Sequence, residues 1–263
     1  MSLKTDRRSA LQSFGLALGA AGAVAATEFS ATSAHAAGMN LPEGAASLAE
    51  LTKRLAAAPR RRDFKTVPMI VDHPDLWDDA ALKELFAYKP AAKMVWDVTG
   101  LPGLALNGMR NTINAQVWSF GNPDFLALSA NHGGAQLALY DQEVWDKYDI
   151  AKMAGGMTAN SLIVEKPAAS KDAANYQDPD GVFSPENNTI PALQKRGAVF
   201  LACHNAIWEQ ASKLHKAGQN PDNLPVEAIA AELTNHLIPG AVLTPGIVAT
   251  IVELQNAGFT YAR

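Results

Sequence analysis

The chain has 263 residues, a formal net charge of −4, a single cysteine and 48% hydrophobic residues. A mildly acidic chain argues against a nucleic-acid partner, because affinity for phosphate backbones comes largely from clustered lysine and arginine. The length suffices for one domain with a substantial core, and a single cysteine excludes both an internal disulfide and covalent c-type haem.

The first 36 residues have the pattern of a secretory signal peptide. Arg7 and Arg8 precede an uncharged run from 13 to 27, and Ala34-His35-Ala36 forms a small-x-small cleavage site. This order predicts export, and the paired arginines indicate the twin-arginine route to the periplasm. A membrane anchor is the alternative, but the apolar run is shorter than the roughly 20 residues that span a bilayer. No membrane association is expected after cleavage.

Residues 37–90 are predicted to form a helical extension. Three leucines at helical spacing predict a helix over 45–58, and Asp75 is expected to cap a second helix that ends near residue 88. The run Arg60-Arg61-Arg62 between the two helices is interpreted as a solvated linker.

Residues 91–263 are predicted to form the main domain, in which strands alternate with helices. Short apolar runs predict five strands, at about 93–98, 124–129, 198–202, 241–243 and 259–262. Helices are expected over 104–118, 204–216 and 226–237, and from Thr244 onwards, with Thr244 as the cap and Pro245 in the first turn. The alternation predicts an α/β fold: a Rossmann-like parallel sheet of about five strands with helices on both faces.

A long insert interrupts this alternation at about 155–191. The segment is rich in Asn, Asp, Pro and Ser and has no clear helical or strand period. Loops of this length inside compact domains are usually functional or mobile. The insert is interpreted as a lid, an oligomer arm or a tolerated insertion.

The carboxyl ends of the predicted strands carry the candidate functional residues, since open α/β sheets bind ligands there. Cys203 stands between the third strand and a helix, whose first turn exposes N–H groups and a partial positive charge that favour a reactive thiolate. An inert buried cysteine and a cysteine paired between chains are the alternatives. His132 ends the preceding strand and is expected near Cys203 as a proton donor or acceptor, or else simply hydrogen-bonded in a turn.

Other chemistry finds little support in the sequence. Gly-x-Gly-x-x-Gly, phosphate-loop and Gly-x-Ser-x-Gly motifs do not occur. Cys203, His204 and His132 are soft-metal ligand types, but neither a Cys-x-x-Cys nor a His-x-x-x-His pair accompanies them. Neither a metal nor a cofactor is therefore predicted.

Two stretches, GAVFLACHNAIWEQ and LIPGAVLTPGIVATIVELQNAGFTYAR, resemble the DsrE/DsrF-like sulfur-relay family. The shared features are Ala202-Cys203-His204-Asn205 after a strand, then Pro245-Gly246, Leu254-Gln255 and Gly258-Phe259-Thr260-Tyr261. Upstream, LALNGMRNTINA, with Asn107, Arg110 and Asn111, looks like a family helix, and FLALSANHGG looks like its second strand. The resemblance runs from about Lys93 to the C-terminus, without the insert.

The resemblance implies a Rossmann-like sheet, a homo-oligomeric ring and a cysteine that carries a persulfide. On that basis we expect a periplasmic, sulfurtransferase-like carrier of a small sulfur species, which passes sulfur to an acceptor protein. Cys203 is the expected nucleophile and His132 the proton handler. Asn205, His204 and Arg110 are expected to bind substrate, Arg110 as an anion contact. A non-catalytic oligomer that binds a small ligand or metal, and a structural oligomer with a core cysteine, are the alternatives.

Overall fold

The computed structural model describes residues 38–101 and 103–263, so the predicted signal peptide and its cleavage site lie outside the described residues. The strands of the described residues are β1 (Lys93–Val98), β2 (Leu126–Asn131), β3 (Val199–Cys203), β4 (Val242–Thr244) and β5 (Thr260–Ala262). Their α-helices are α1 (Ala46–Ala57), α2 (Asp79–Phe86), α3 (Gly103–Asn114), α4 (Gln142–Lys147), α5 (Ile190–Gln194), α6 (His204–Lys216), α7 (Val226–Asn235) and α8 (Ile247–Asn256). None of these helices is long and apolar enough to cross a membrane.

The five strands form one parallel sheet in the order β4-β3-β2-β1-β5. Every residue of the central strands β2 and β3 is buried. Continuous apolar runs are what a parallel sheet covered on both faces requires. The predicted Rossmann-like α/β fold is confirmed.

The order of the strands determines which helices cover each face of the sheet. The chain steps from β1 through to β4 in one direction, so right-handed crossovers place α3 to α7 on one face. The connection from β4 to β5 runs back across the sheet and places α8 on the other face. There α1 and α2 join it, with Leu51 and Leu85 fully buried in the same core. The N-terminal helices thus complete the cover of the sheet.

The second N-terminal helix begins later than predicted. Asp75 lies in a short 3₁₀ turn, and α2 starts only at Asp79. The carboxylate of Asp78 accepts hydrogen bonds from the backbone of Leu243 and from Arg62, both at 2.7 Å. These long-range bonds fix Asp78 just before the helix. The prediction of a solvated 60–62 run is wrong for Arg62, which binds this 2%-exposed carboxylate, and for Arg60, 3.7 Å from it.

The insert folds back onto the domain as a series of turns. Between residues 155 and 189 the described chain forms 3₁₀ turns at Ser161–Ile163, Pro167–Ser170 and Pro185–Asn187, without a strand or an α-helix. Asn160 anchors its start, donating to the carbonyls of Ala138 and Tyr140 at 3.0 and 2.8 Å. Near its middle, Tyr176 stacks on Trp118, with ring centroids 5.1 Å apart. Trp118 belongs to a π-helical turn (Ala115–Ser119) that extends α3.

Candidate functional site at the carboxyl end of the sheet

The chain leaves β3 and β4 toward opposite faces of the sheet. After β3 it enters α6, which packs in the core of the α3–α7 face, and after β4 it enters α8, which packs in the other core. Adjacent parallel strands whose connections diverge in this way form a crevice between their carboxyl ends, the usual ligand position in open α/β sheets. Cys203 and Thr244, the last residues of the two strands, are paired there.

The sulfur of Cys203 lies between the first turns of both helices. Sγ accepts hydrogen bonds from the backbone N–H of Ala206 in α6 and of Ile247 in α8, each at 3.4 Å. The first N–H groups of a helix have no partner within the helix, and the helix dipole places partial positive charge on them. Two such ends therefore converge on one sulfur atom, which stabilises negative charge on it.

The predicted cap of the last helix is wrong. Thr244 is the final residue of β4, and its hydroxyl donates to the Ala202 carbonyl at 2.9 Å. The N-cap residue of α8 is Gly246, which has no side chain that could accept an N–H. Cys203 Sγ, at the end of the neighbouring strand β3, takes that role. The side chain of Asn205 lies over Gly246, since a Cβ there would come 2.9 Å from Asn205 Nδ2.

Cys203 is 5% exposed and packs among apolar neighbours of the α8 core. The sequence left open whether this cysteine is buried or reactive, and the structure shows both a buried side chain and polar contacts to its sulfur. A reactant that reaches Sγ must therefore be small, or the first turns of α6 and α8 must part.

A buried polar group behind the cysteine was missed by sequence reasoning. Gln136, fully buried, accepts a hydrogen bond from the Cys203 backbone N–H at 2.8 Å, while its Nε2 has no partner among the described residues. The nearby Tyr140 hydroxyl donates to Gln210 at 2.7 Å. Burial raises the pKa of Tyr140 well above its ordinary value. A glutamine within the apolar run AQLALY was the available signal.

His132 follows β2, the neighbour of the strand that ends in Cys203, but its ring contacts Asp97 on β1 and not the cysteine. It follows Asn131, the partner of Ala202 in the β2–β3 register. Its Nε2 is 2.7 Å from Oδ1 of Asp97 on β1, the opposite side of β2 from Cys203. The described residues contain no hydrogen bond between His132 and Cys203.

Asp97 holds this histidine in a three-residue chain. Its Oδ2 accepts the hydroxyl of Tyr261 on β5 at 2.8 Å. Burial alone would raise the pKa of Asp97, but the hydrogen bonds from Tyr261 and His132 outweigh it and lower that pKa. The lowered pKa favours an ionised Asp97, whose carboxylate binds the ring of His132 through Nε2.

His204 and Arg110, two other predicted site residues, face away from the sulfur. His204 is 1% exposed, and its Nε2 binds the Pro68 and Met69 carbonyls at 2.9 and 3.2 Å. Burial lowers the pKa of His204, which these two bonds partly oppose. Arg110, midway along α3, donates to the Phe183 carbonyl of the insert at 3.1 Å. The structure therefore groups Cys203 with Asn205 and separates both from Arg110.

One further cluster of possible metal ligands lies outside this crevice. Ligand atoms of Asp141, Glu143 and His236 are within 4.8 Å of one another. His236 Nδ1 is 2.8 Å from the Asp141 carboxylate, and Glu143 is largely exposed. Because His236 is 95 residues from Asp141 along the chain, spacing alone gave no sign of this cluster.

No protein-family model, curated protein or solved structure matches the chain. The similarity to DsrE/DsrF-like proteins accordingly rests on the sequence motifs quoted above.

Proposed function

We propose that this protein is an exported, periplasmic carrier of sulfane sulfur, in which Cys203 holds the transferred atom as a persulfide. The observation that carries the proposal is the convergence of two helix N-termini on Sγ, through the N–H groups of Ala206 and Ile247. Thiolates are the nucleophilic form of cysteine, and helix N-termini are among the environments that favour them. The sequence similarity to sulfur-relay proteins supports the same function.

The loading step suits a buried sulfur. With thiosulfate as donor, the Cys203 thiolate attacks the outer sulfur, and a new S–S bond forms as the old one breaks. Sulfite leaves with the electron pair, and the protein retains a persulfide. Because Cys203 is only 5% exposed, a small inorganic donor reaches Sγ more readily than a protein does.

The unloading step needs an acceptor thiol. The acceptor's thiolate attacks the outer persulfide sulfur, its own persulfide forms, and Cys203 leaves as the thiolate. For His132 to take the acceptor's proton, its ring must turn from Asp97 toward the crevice. A single cysteine suits this role, since the chain contains no second thiol to resolve the persulfide.

Asn205 contributes at the mouth of the crevice. Its side chain is exposed, lies over Gly246 and follows the cysteine by two residues. From there the amide orients the outer sulfur by hydrogen bonding. A homo-oligomeric assembly, as the family resemblance implies, is part of the proposal.

Intact-mass measurement after incubation with thiosulfate or polysulfide tests the carrier. The wild-type protein is expected to gain whole sulfur atoms that dithiothreitol removes, and Cys203→Ser is expected to gain none. His132→Gln is the matched control for unloading: it should load normally but pass sulfur to a small thiol more slowly. The absence of any gain, together with a native thiol that resists alkylation, would contradict the proposal.

The Asp141–Glu143–His236 cluster favours a second candidate, a metal-binding protein of the same fold. Two carboxylates and an imidazole suit a divalent transition metal. Metal content after purification and dialysis separates the two candidates. Metal that Cys203→Ser retains and His236→Ala loses would support the second one.

A further inference from the structure

The segment that connects α1 to α2 is anchored firmly at two points. Val67 is buried and donates its backbone N–H to the Glu227 carbonyl of α7 at 3.1 Å. Asp78 is also buried and is bound to Leu243 of β4. Between these anchors, residues 68–70 are all exposed. Burial of apolar surface therefore contributes little to holding this part of the segment in place.

The side chain of His204 ties the exposed part of the segment to the domain. His204 is the first residue of α6, and its Nε2 lies 2.9 Å from the Pro68 carbonyl and 3.2 Å from the Met69 carbonyl. Because a carbonyl only accepts, Nε2 carries the proton and donates it. No other hydrogen bond joins the backbone of residues 68–71 to the described residues. His204 therefore links this segment to the first turn of α6.

The surroundings of the other ring nitrogen favour the neutral form of His204. Nδ1 is buried without a partner among the described residues. A proton on Nδ1 would therefore bury a charged N–H that has no acceptor. The charge would also lie in the first turn of α6, where the helix dipole is positive. Burial accordingly lowers the pKa of His204, although the two carbonyl bonds oppose the shift.

Charged neighbours do not account for this preference, because burial and the two carbonyl bonds are its causes. The titratable groups on the elements around His204 are Cys203 of β3, Glu209 of α6, Glu227 of α7, His132 after β2, and Lys65, Asp72 and His73 of the connecting segment. His132 is bound to Asp97, Cys203 is buried, and the remaining groups are exposed to solvent. Exposed charges are screened by water and salt and act weakly on a buried ring.

The turn that His204 holds also supplies one of the two hydrogen bonds to the Cys203 sulfur. Ala206, two residues after His204, donates its backbone N–H to Sγ at 3.4 Å. The end of β3 is held independently, since Gln136 accepts the Cys203 backbone N–H at 2.8 Å. Loosening the first turn of α6 therefore moves the Ala206 N–H away from Sγ while the cysteine stays in place. One side of the crevice then opens.

We propose that neutral His204 positions the first turn of α6 over the Cys203 sulfur, and that protonation of His204 releases this turn and opens the crevice. The role rests on the proposed carrier only in that Cys203 is taken as the reactive group. Because the pKa of His204 is lowered in the closed form, closure is favoured above the ordinary histidine value and weakens as the pH falls below it. With that value at about 6.5, the open fraction rises by up to about tenfold between pH 7.5 and pH 5.5.

Thiol labelling at pH 7.5 and pH 5.5 tests this role. The rate with the aromatic disulfide 4,4′-dithiodipyridine is divided by the rate with the small methyl methanethiosulfonate, and glutathione corrects both rates for the pH dependence of the reagents. Since both reagents need the thiolate, the ratio measures access to Sγ. In the wild type it is expected to rise at least about threefold at pH 5.5. In His204→Gln, whose amide can still donate to the carbonyls but does not titrate, it should stay low at both pH values. A constant wild-type ratio, or an equal rise in His204→Gln, would overturn the proposal.

His204→Phe keeps an aromatic ring but removes the donor, so its ratio should be high at both pH values. A low ratio at both would show that the bonds to Pro68 and Met69 do not hold the turn. If this variant does not fold, the wild type and His204→Gln still decide the outcome. Sulfur loading is measured separately: a constant ratio in a protein that loads from thiosulfate contradicts only the role of His204, and a pH-dependent ratio in a protein that does not load contradicts only the carrier.

Discussion

The sulfur of Cys203 accepts the N–H of Ile247, 44 residues further along the chain, at 3.4 Å. The same sulfur accepts the N–H of Ala206 at the start of α6. One atom at the end of β3 thus serves as the cap of two helices that leave the sheet on opposite faces. The cysteine is therefore a structural cap, and in the proposed function it is also the nucleophile.

Replacement of Cys203 by alanine is expected to destabilise the fold by about 1–3 kcal/mol, because two N–H groups at buried helix starts lose their acceptor. Cys203→Ser should cost less, since its hydroxyl oxygen can still accept from Ala206. Urea unfolding of both variants measures the difference. If alanine and serine were equally tolerated, the two N–H···S contacts would contribute nothing to stability.

Sequence patterns located the strands well because each buried strand of a parallel sheet is an apolar run. The β1 bounds are as predicted, and Cys203 stands at the predicted strand-to-helix junction. The caps were predicted less well. Thr244 and Asp75 are good capping residues by type, but contacts with other strands determine the helix starts. Cys203 pairs with Thr244 in the register and caps α8, and the bond from Leu243 fixes Asp78, not Asp75, before α2.

The direction of side chains at the site was beyond the reach of the sequence. His132 occupies the strand end where it was expected, yet Asp97 draws its ring toward β1. That bond depends on the pairing of β1 with β2, which places Asp97 opposite Ala130 and two residues from His132. Likewise, the hydrogen bond from Arg110 to the Phe183 carbonyl is visible only once the insert is folded.

Asp97→Asn is expected to lower stability at neutral pH by about 1–2 kcal/mol, because one amide oxygen replaces a carboxylate that accepts two hydrogen bonds. The pKa of Asp97 is lowered in the folded state, so the unfolded chain binds its proton more readily. The stabilisation is therefore complete above the unfolded value of about 4 and is lost as the pH falls through the lower folded value.

Urea unfolding at pH 7 and at pH 3 checks this behaviour. The difference between wild type and Asp97→Asn should be largest at pH 7 and shrink at pH 3. Tyr261→Phe is the matched control, since it removes only the hydroxyl that binds Asp97. A difference that stays constant with pH would show that the Asp97 charge is not involved.

Gly197→Ala is expected to destabilise the protein by about 2–4 kcal/mol, through a left-handed backbone and overpacking together. Gly197 has a φ of +83° between α5 and β3, and a Cβ there would come 2.8 Å from Leu48 of α1. Gly218→Ala is the control: its φ is +70°, but no atom lies within 4 Å of the added Cβ. It should cost only about 1 kcal/mol. Equal costs would mean that α1 does not pack tightly on the sheet.

The thiol of Cys203 is expected to discriminate between reagents by size. Cys203 is 5% exposed, and its sulfur accepts two backbone hydrogen bonds. A bulky aromatic disulfide therefore needs local opening of α6 or α8 before it can react. Methyl methanethiosulfonate is small and should label the native protein much faster than dithionitrobenzoate does. In urea the two rates should approach those of a free thiol.

This comparison bears directly on how the carrier would unload. If small reagents alone react with the native thiol, a protein acceptor must first displace the start of α8, and Asn205 lies across that start. Asn205→Ala should then speed the reaction with dithionitrobenzoate and leave that with methyl methanethiosulfonate almost unchanged. Equal native rates for both reagents in the wild type would show instead that the crevice opens freely and that burial of Sγ does not select its partners.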